Sequence, residues 1–156
     1  MTVEPKLLES RGDAAVDPVR LIGPDPSESA QMLAAVITAN LQRQPDLHQR
    51  LDGEPGVVSV TALDAGSTVT FELRDGCVRV YSGEPTCPAD VRVVADSGTL
   101  SGLATVPRIG PLPNPLKSRG REFWRSYAGG RLKAAGVFRH RLLLRRLVAL
   151  LSTGPA

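Results

Sequence analysis

Two histidines and two cysteines are the side chains here with the plainest capacity for chemistry, and their settings argue against a reactive site. His48 and His140 each sit beside charged or polar residues on or at the edge of a predicted helix. That placement suits a solvated histidine, whereas a general base needs a partner that orients and tunes it. Cys77 opens a predicted strand whose inner face is Val78 and Val80, so its thiol points outward or toward a neighbouring element. Together with Cys87 it fits no metal-ligand spacing, and the pair reads as two reduced structural thiols. Gly53, Gly56, Gly66 and Gly76 each suit a turn, and no phosphate-cradling glycine spacing occurs. The residues therefore assign no catalytic group, no metal and no cofactor, and binding is favoured over reaction. One enzymatic alternative stays open, because an enclosed apolar pocket needs only a single buried Asp, Glu, Tyr or His to act on a reactive substrate.

The elements that would position a binding site are those of one domain. A chain of 156 residues is long enough for a real core but short for two ordinary domains. It is 42% hydrophobic but only 4% aromatic, so Leu, Val and Ala must fill the core and line any cavity in it. The first residues mix acids, bases and Pro without an apolar run fit for a signal peptide or membrane span, and the chain is read as cytoplasmic. It ends in Ser-Thr-Gly-Pro-Ala, which is not a peroxisomal address. Charge is polarised: residues 1–106 carry 8 Lys/Arg against 15 Asp/Glu, whereas residues 107–156 carry 11 against 1. An asymmetry of this size marks a surface that faces anionic phosphates, of lipid or of nucleic acid. Nucleic acid is the weaker reading, since the few aromatics are clustered and no recognition motif is present.

Residues 1–24 show no sustained period and carry Pro5, Pro18 and Pro24, so most of this stretch is expected to be a loose arm preceding a domain over 25–152, with a tail at 153–156. Asp25-Pro26-Ser27-Glu28 supplies a helix start with Asp25 as cap. Leu33, Val36, Ile37 and Leu41 then form one buried stripe, closed by Pro45. The pattern next changes to alternation, at Val58, Val60 and Ala62 and again over Thr68–Arg74. Asp75-Gly76 is a turn pair that accepts positive φ at both positions and joins Thr68–Arg74 to Cys77–Tyr81 as a hairpin. A fourth strand at Asp90–Ala95, with Val91, Val93 and Ala95 inward, is expected to continue an antiparallel meander. Asp96 or Ser97 caps a short helix with Leu100 and Leu103. Residues 107–117 hold four prolines and read as an extended loop, followed by the aromatic patch Phe123, Trp124 and Tyr127. A fifth strand at Arg131–Ala135 and a helix from about Phe138 to Leu151 complete the chain.

In order and in local sequence, these segments resemble the sterol carrier protein type two (nonspecific lipid-transfer) domain family over roughly Ala30 to Leu151. The resemblance rests on Val69–Gly76, on the strand Ala89–Asp96 leading into Thr99–Leu103, and on Gly130-Arg131-Leu132-Lys133-Ala134-Ala135-Gly136. It implies an α/β (α+β) fold in which a five-stranded, mostly antiparallel curved sheet has helices packed on one face and encloses an apolar tunnel. The family usually has a compact connection where this chain inserts residues 107–129, so family residues there are not carried over.

The implied function is carriage of a lipid or other apolar small molecule: a fatty acid, fatty acyl-CoA, sterol, or polyketide- or terpenoid-like compound. Burial of such a ligand gains about 0.8 kcal/mol per CH₂, so affinity requires no polar anchor. Candidate lining residues are Leu33, Ile37, Leu41, Val69, Phe71, Leu73, Val78, Val80, Leu100, Leu103, Leu143, Leu147 and Leu151, with Phe123 and Trp124 as a lid. In the last helix the leucines cover more circumference than one core stripe needs, and Arg139, Arg141, Arg145 and Arg146 crowd its first half. These arginines are the candidates for transient contact with an anionic membrane. Two alternatives have the same fold: an accessory protein-interaction module with a closed core, and an enzyme adapted from a carrier that acts on an apolar biosynthetic intermediate.

Overall fold

A computed structural model describes residues 17–104, 108–109, 112–113, 125, 129–130 and 132–152. After strand β1 (Val19–Ile22) come helix α1 (Glu28–Arg43), a 3₁₀ helix (Pro45–Arg50), and strands β2 (Gly56–Ala62), β3 (Ser67–Arg74), β4 (Cys77–Ser82) and β5 (Val91–Ala95). Helix α2 (Ser97–Ala104), the short strands β6 (Arg108–Ile109) and β7 (Leu112–Pro113), strand β8 (Lys133–Ala135) and helix α3 (Arg141–Leu151) follow. The main sheet has the order β1-β4-β3-β2-β5-β8, and β6 and β7 pair as a separate two-stranded ladder within the segment read as a loop.

The β3–β4 hairpin forms as its turn chemistry predicts. Asp75 and Gly76 both have positive φ, at 54° and 71°, and the register runs Leu73↔Val78 and Phe71↔Val80. Alternation then places Val69, Phe71 and Leu73 with Val78 and Val80 on one face, where all are buried. Val58 and Val91 extend that face across β2 and β5.

Three expectations are corrected. The sheet has six strands, not five. The additional one, β1, lies within residues 1–24 and pairs in parallel with β4, with Val19 opposite Val78. Nor does β5 continue the meander from β4: it lies on the far side of β2 and pairs with it in parallel. The side chain of Asp90 accepts from Val57 N (2.8 Å) while its own N–H donates to Val57 O (2.9 Å), which fixes the start of β5 beside β2; the free edge of β4 is occupied by β1. The connection over residues 83–90 therefore crosses the outer face of the sheet, where Thr70 Oγ1 donates to Gly83 O (2.7 Å) and Arg92 pairs with Glu84 (3.1 Å). Ser59 and Thr70 of that face are fully buried. Finally, α1 is capped by Ser27 rather than Asp25. Ser27 Oγ accepts from Ala30 N, and the Ser27 backbone N–H donates to Ser82 Oγ (2.6 Å) at the end of β4, so a tertiary contact sets the helix start.

Helices cover the inner face. Ala30, Ala34, Ile37 and Leu41 of α1 pack over β1, β4 and β3. Helix α3 buries Leu143, Leu147 and Leu150 and packs mainly on α1 and the 3₁₀ helix. It reaches the sheet at Gly56, where a Cβ would fall within 2.8 Å of Leu143 Cδ1; the glycine is what lets the leucine in.

Candidate apolar binding site

The expected lining residues come together in one cluster. Ile37, Leu41, Val69, Phe71, Leu73, Val78, Val80, Leu143 and Leu147 are buried in the core, with Leu33, Leu100 and Leu151 packed at its margin. Leu103 falls within α2, while Phe123 and Trp124 lie outside the described residues. The layer under α1 is filled by side chains: Ile37, Leu73, Val58, Val78, Val80 and Val91 have no exposed surface, and Phe71 has almost none.

Among the described residues, open space lies along the flank of α1 where the helix meets the C-terminal end of α3. An open surface groove of about 320 Å³ is lined there by α1 alone, at Met32, Ala35, Val36, Ala39, Asn40 and Arg43. Asn40 forms its inner wall and ties the two helices, as its Nδ2 donates to Leu150 O (2.8 Å) and Ser152 O (3.2 Å). Leu150 O belongs to the last turn of α3, whose carbonyls lack helical donors, and Ser152 is the cap that follows it. Of the lining only Val36 belongs to the apolar stripe read from the sequence. The signal for the rest was Asn40, a polar residue three positions after Ile37 on the buried side of an apolar helix.

The titratable groups with resolved shifts anchor structure rather than form a reactive cluster. Hydrogen bonds from Ser97 hold the Asp64 carboxyl below its ordinary value, and hydrogen bonds from Thr99 do the same for Asp96; both pin the start of α2. Burial raises the Tyr81 hydroxyl on the outer face, with the Glu72 charge adding to it. Cys77 is buried and Cys87 exposed, and both are free thiols. No group of three potential metal ligands occurs among the described residues.

Arg146 does not belong to a free basic surface. Its guanidinium donates to the backbone carbonyls of Arg50 (2.7 Å), Leu51 (2.7 Å) and Glu54 (2.8 Å), clamping the end of the 3₁₀ helix to α3. Burial lowers its pKa from the ordinary value, though an arginine so placed keeps its charge.

No protein-family profile matches the sequence, and no curated protein does. Solved structures do match. A UbiJ-SCP2 ubiquinone synthesis protein superposes with a TM-score of 0.50 at 19% identity, over 80% of this chain and 95% of that one. Sterol carrier protein 2 from Yarrowia lipolytica, in its apo form, gives 0.50 at 13% identity, over 81% and 94%. The fold is that of the sterol carrier protein type two domain. A further match, the sec-alkylsulfatase Pisa1 from a Pseudomonas species, has a TM-score of 0.47 at 18% identity; 69% of this chain aligns with it but spans only 14% of the alkylsulfatase.

Proposed function

We propose that the protein is a cytoplasmic, non-catalytic carrier of an apolar small molecule of acyl-chain type, bound along the seam between α1 and α3. The observation that carries this reading is the open groove of about 320 Å³ whose α1 wall is apolar at Met32, Ala35, Val36 and Ala39 and which ends at the exposed Arg43. Its volume falls at the lower end of the roughly 300–1,000 Å³ typical of small-molecule sites. An aliphatic wall gains free energy from every methylene it takes out of water, and a guanidinium at one end complements a carboxylate. The fold supports the same reading, since one of the similar structures is named a sterol carrier and the other a ubiquinone synthesis protein, and both compounds are apolar.

The test is titration with a long-chain fatty acid, followed by displacement of a fluorescent fatty-acid analogue, for the wild type and Ala35→Trp. Ala35 is exposed, so the indole fills the groove without entering the core. Saturable binding by the wild type that weakens about tenfold or more in the variant is expected, the loss of a few methylenes' worth of contact. Absence of saturable binding by the wild type contradicts the proposal. The filled layer under α1 supports a second reading, an accessory interaction module with a closed core, which expects that negative result.

A further inference from the structure

The most exposed apolar side chains of the described structure lie at the start of α3, the opposite end from the groove. Phe138 is 81% exposed and Leu142 is 66% exposed. Phe138 lies in the turn before α3, where His140 N donates to Gly136 O, and Leu142 lies in the first turn of the helix, so the two exposed side chains sit four residues apart at its start. Helical spacing puts Arg141 and Arg145 on the same arc, opposite the buried Leu143, Leu147 and Leu150. Arg139 and Lys133 are also exposed close by in sequence. Arg139, Arg141, Arg145 and Lys133 form no ion pair among the described residues, the first turn of α3 holds no acid, and the sequence contains no Asp or Glu after Glu122.

An aromatic and a leucine projecting into water beside exposed cations that form no ion pair among the described residues is the arrangement of a monotopic contact with a lipid surface. The apolar tips enter the acyl boundary while guanidinium groups meet anionic headgroups. A protein partner would have to offer a pocket for Phe138 matched to a surrounding set of acids, whereas a fluid anionic bilayer supplies both without preformed shape. No helix among the described residues is long and apolar enough to cross a membrane, so the contact is superficial. We infer that the Phe138–Leu142 turn, with Arg139, Arg141 and Arg145, docks this protein on anionic lipid bilayers. Arg146 is not part of the docking set, because its guanidinium is committed to three backbone carbonyls. The inference goes beyond the carrier reading and does not depend on it.

The experiment is flotation of the whole protein with vesicles of phosphatidylcholine alone and of phosphatidylcholine mixed with phosphatidylglycerol. Three variants accompany it: Phe138→Ser/Leu142→Ser, Arg141→Glu/Arg145→Glu, and Arg146→Gln. Recovery with the anionic vesicles only, falling as salt is added, is expected. Each arginine near the surface accounts for roughly a fivefold change in partitioning, so the double reversal loses binding by well over tenfold. The apolar pair loses about tenfold or more. Since these four side chains are exposed, an unchanged thermal transition should accompany the loss. Arg146→Gln should instead lower the thermal transition and leave flotation of the folded fraction intact. Equal recovery on both vesicle types overturns the inference, as does undiminished flotation of the serine variant. Salt-sensitive binding to polyglutamate with no recovery on either vesicle overturns it in favour of an acidic protein partner. Fatty-acid displacement on the same samples is read separately, so loss of docking with ligand binding retained, or the reverse, identifies which account fails.

Discussion

α1 and α3 are both amphipathic helices on the same side of the sheet, yet they perform different physical tasks. α1 rests on β1, β4 and β3 and buries four side chains against them. α3 rests mainly on α1 and the 3₁₀ helix, touches the sheet through Leu143 over Gly56, and leaves Leu142 and the preceding Phe138 in water. The first arrangement buries the inner row of the sheet, Phe71, Leu73, Val78 and Val80, beneath α1. The second leaves a helix bordered by the open groove at one end and by the basic apolar turn at the other. On the proposed carrier account, the sheet-covering role and ligand exchange fall to different helices.

The largest expected effect lies under α1. Phe71→Ala removes a fully buried ring from the inner row and should destabilise by about 3–5 kcal/mol in chemical denaturation. Gly56→Ala forces the new methyl against Leu143 and should cost about 1–3 kcal/mol, much of it recovered when Leu143→Ala is added. If Gly56→Ala costs as much as Phe71→Ala, the contrast between the two helices fails. The smallest effect lies beyond both helices, at the start of α2. Asp96 is held below its ordinary pKa by hydrogen bonds from Thr99, so its contribution is complete above its unfolded value of about 3.9 and is lost as pH falls through the lower folded value. Asp96→Asn keeps a competent cap and removes that titration. Amide exchange in α2 should therefore speed up on acidification in the wild type and less so in the variant, with the core under α1 unaffected.

What the sequence made legible follows from where the determining forces are local. The Asp75-Gly76 turn, the alternation over Thr68–Arg74 and the Asp96 cap are set by neighbouring residues, and the structure has all three. The inner-face residues named from periodicity do share one core. The position of β5 was not legible, because Val-Arg-Val-Val-Ala presents the same inward face whether it pairs with β4 or with β2; Asp90 on Val57 decides it. β1 is four residues long, too short for a periodic signal, and exists as a strand only through β4. Ser82 moves the α1 cap from Asp25 to Ser27 across 55 positions of chain, which no local pattern contains. Among the arginines of α3, composition does not separate Arg146, which binds carbonyls, from Arg141 and Arg145, which face solvent; helix phase and the nearby end of the 3₁₀ helix do. The groove was missed for a related reason. It lies beside the apolar stripe rather than within it, on small residues that carry little periodic weight.

Native mass spectrometry of the purified protein, wild type beside Ala35→Trp, tests the central claim most directly. The carrier account predicts wild-type protein carrying one apolar molecule, or taking one up from added long-chain fatty acid, with the bound fraction strongly reduced in the variant. The mass of the bare chain alone, for the wild type in excess fatty acid, would contradict it.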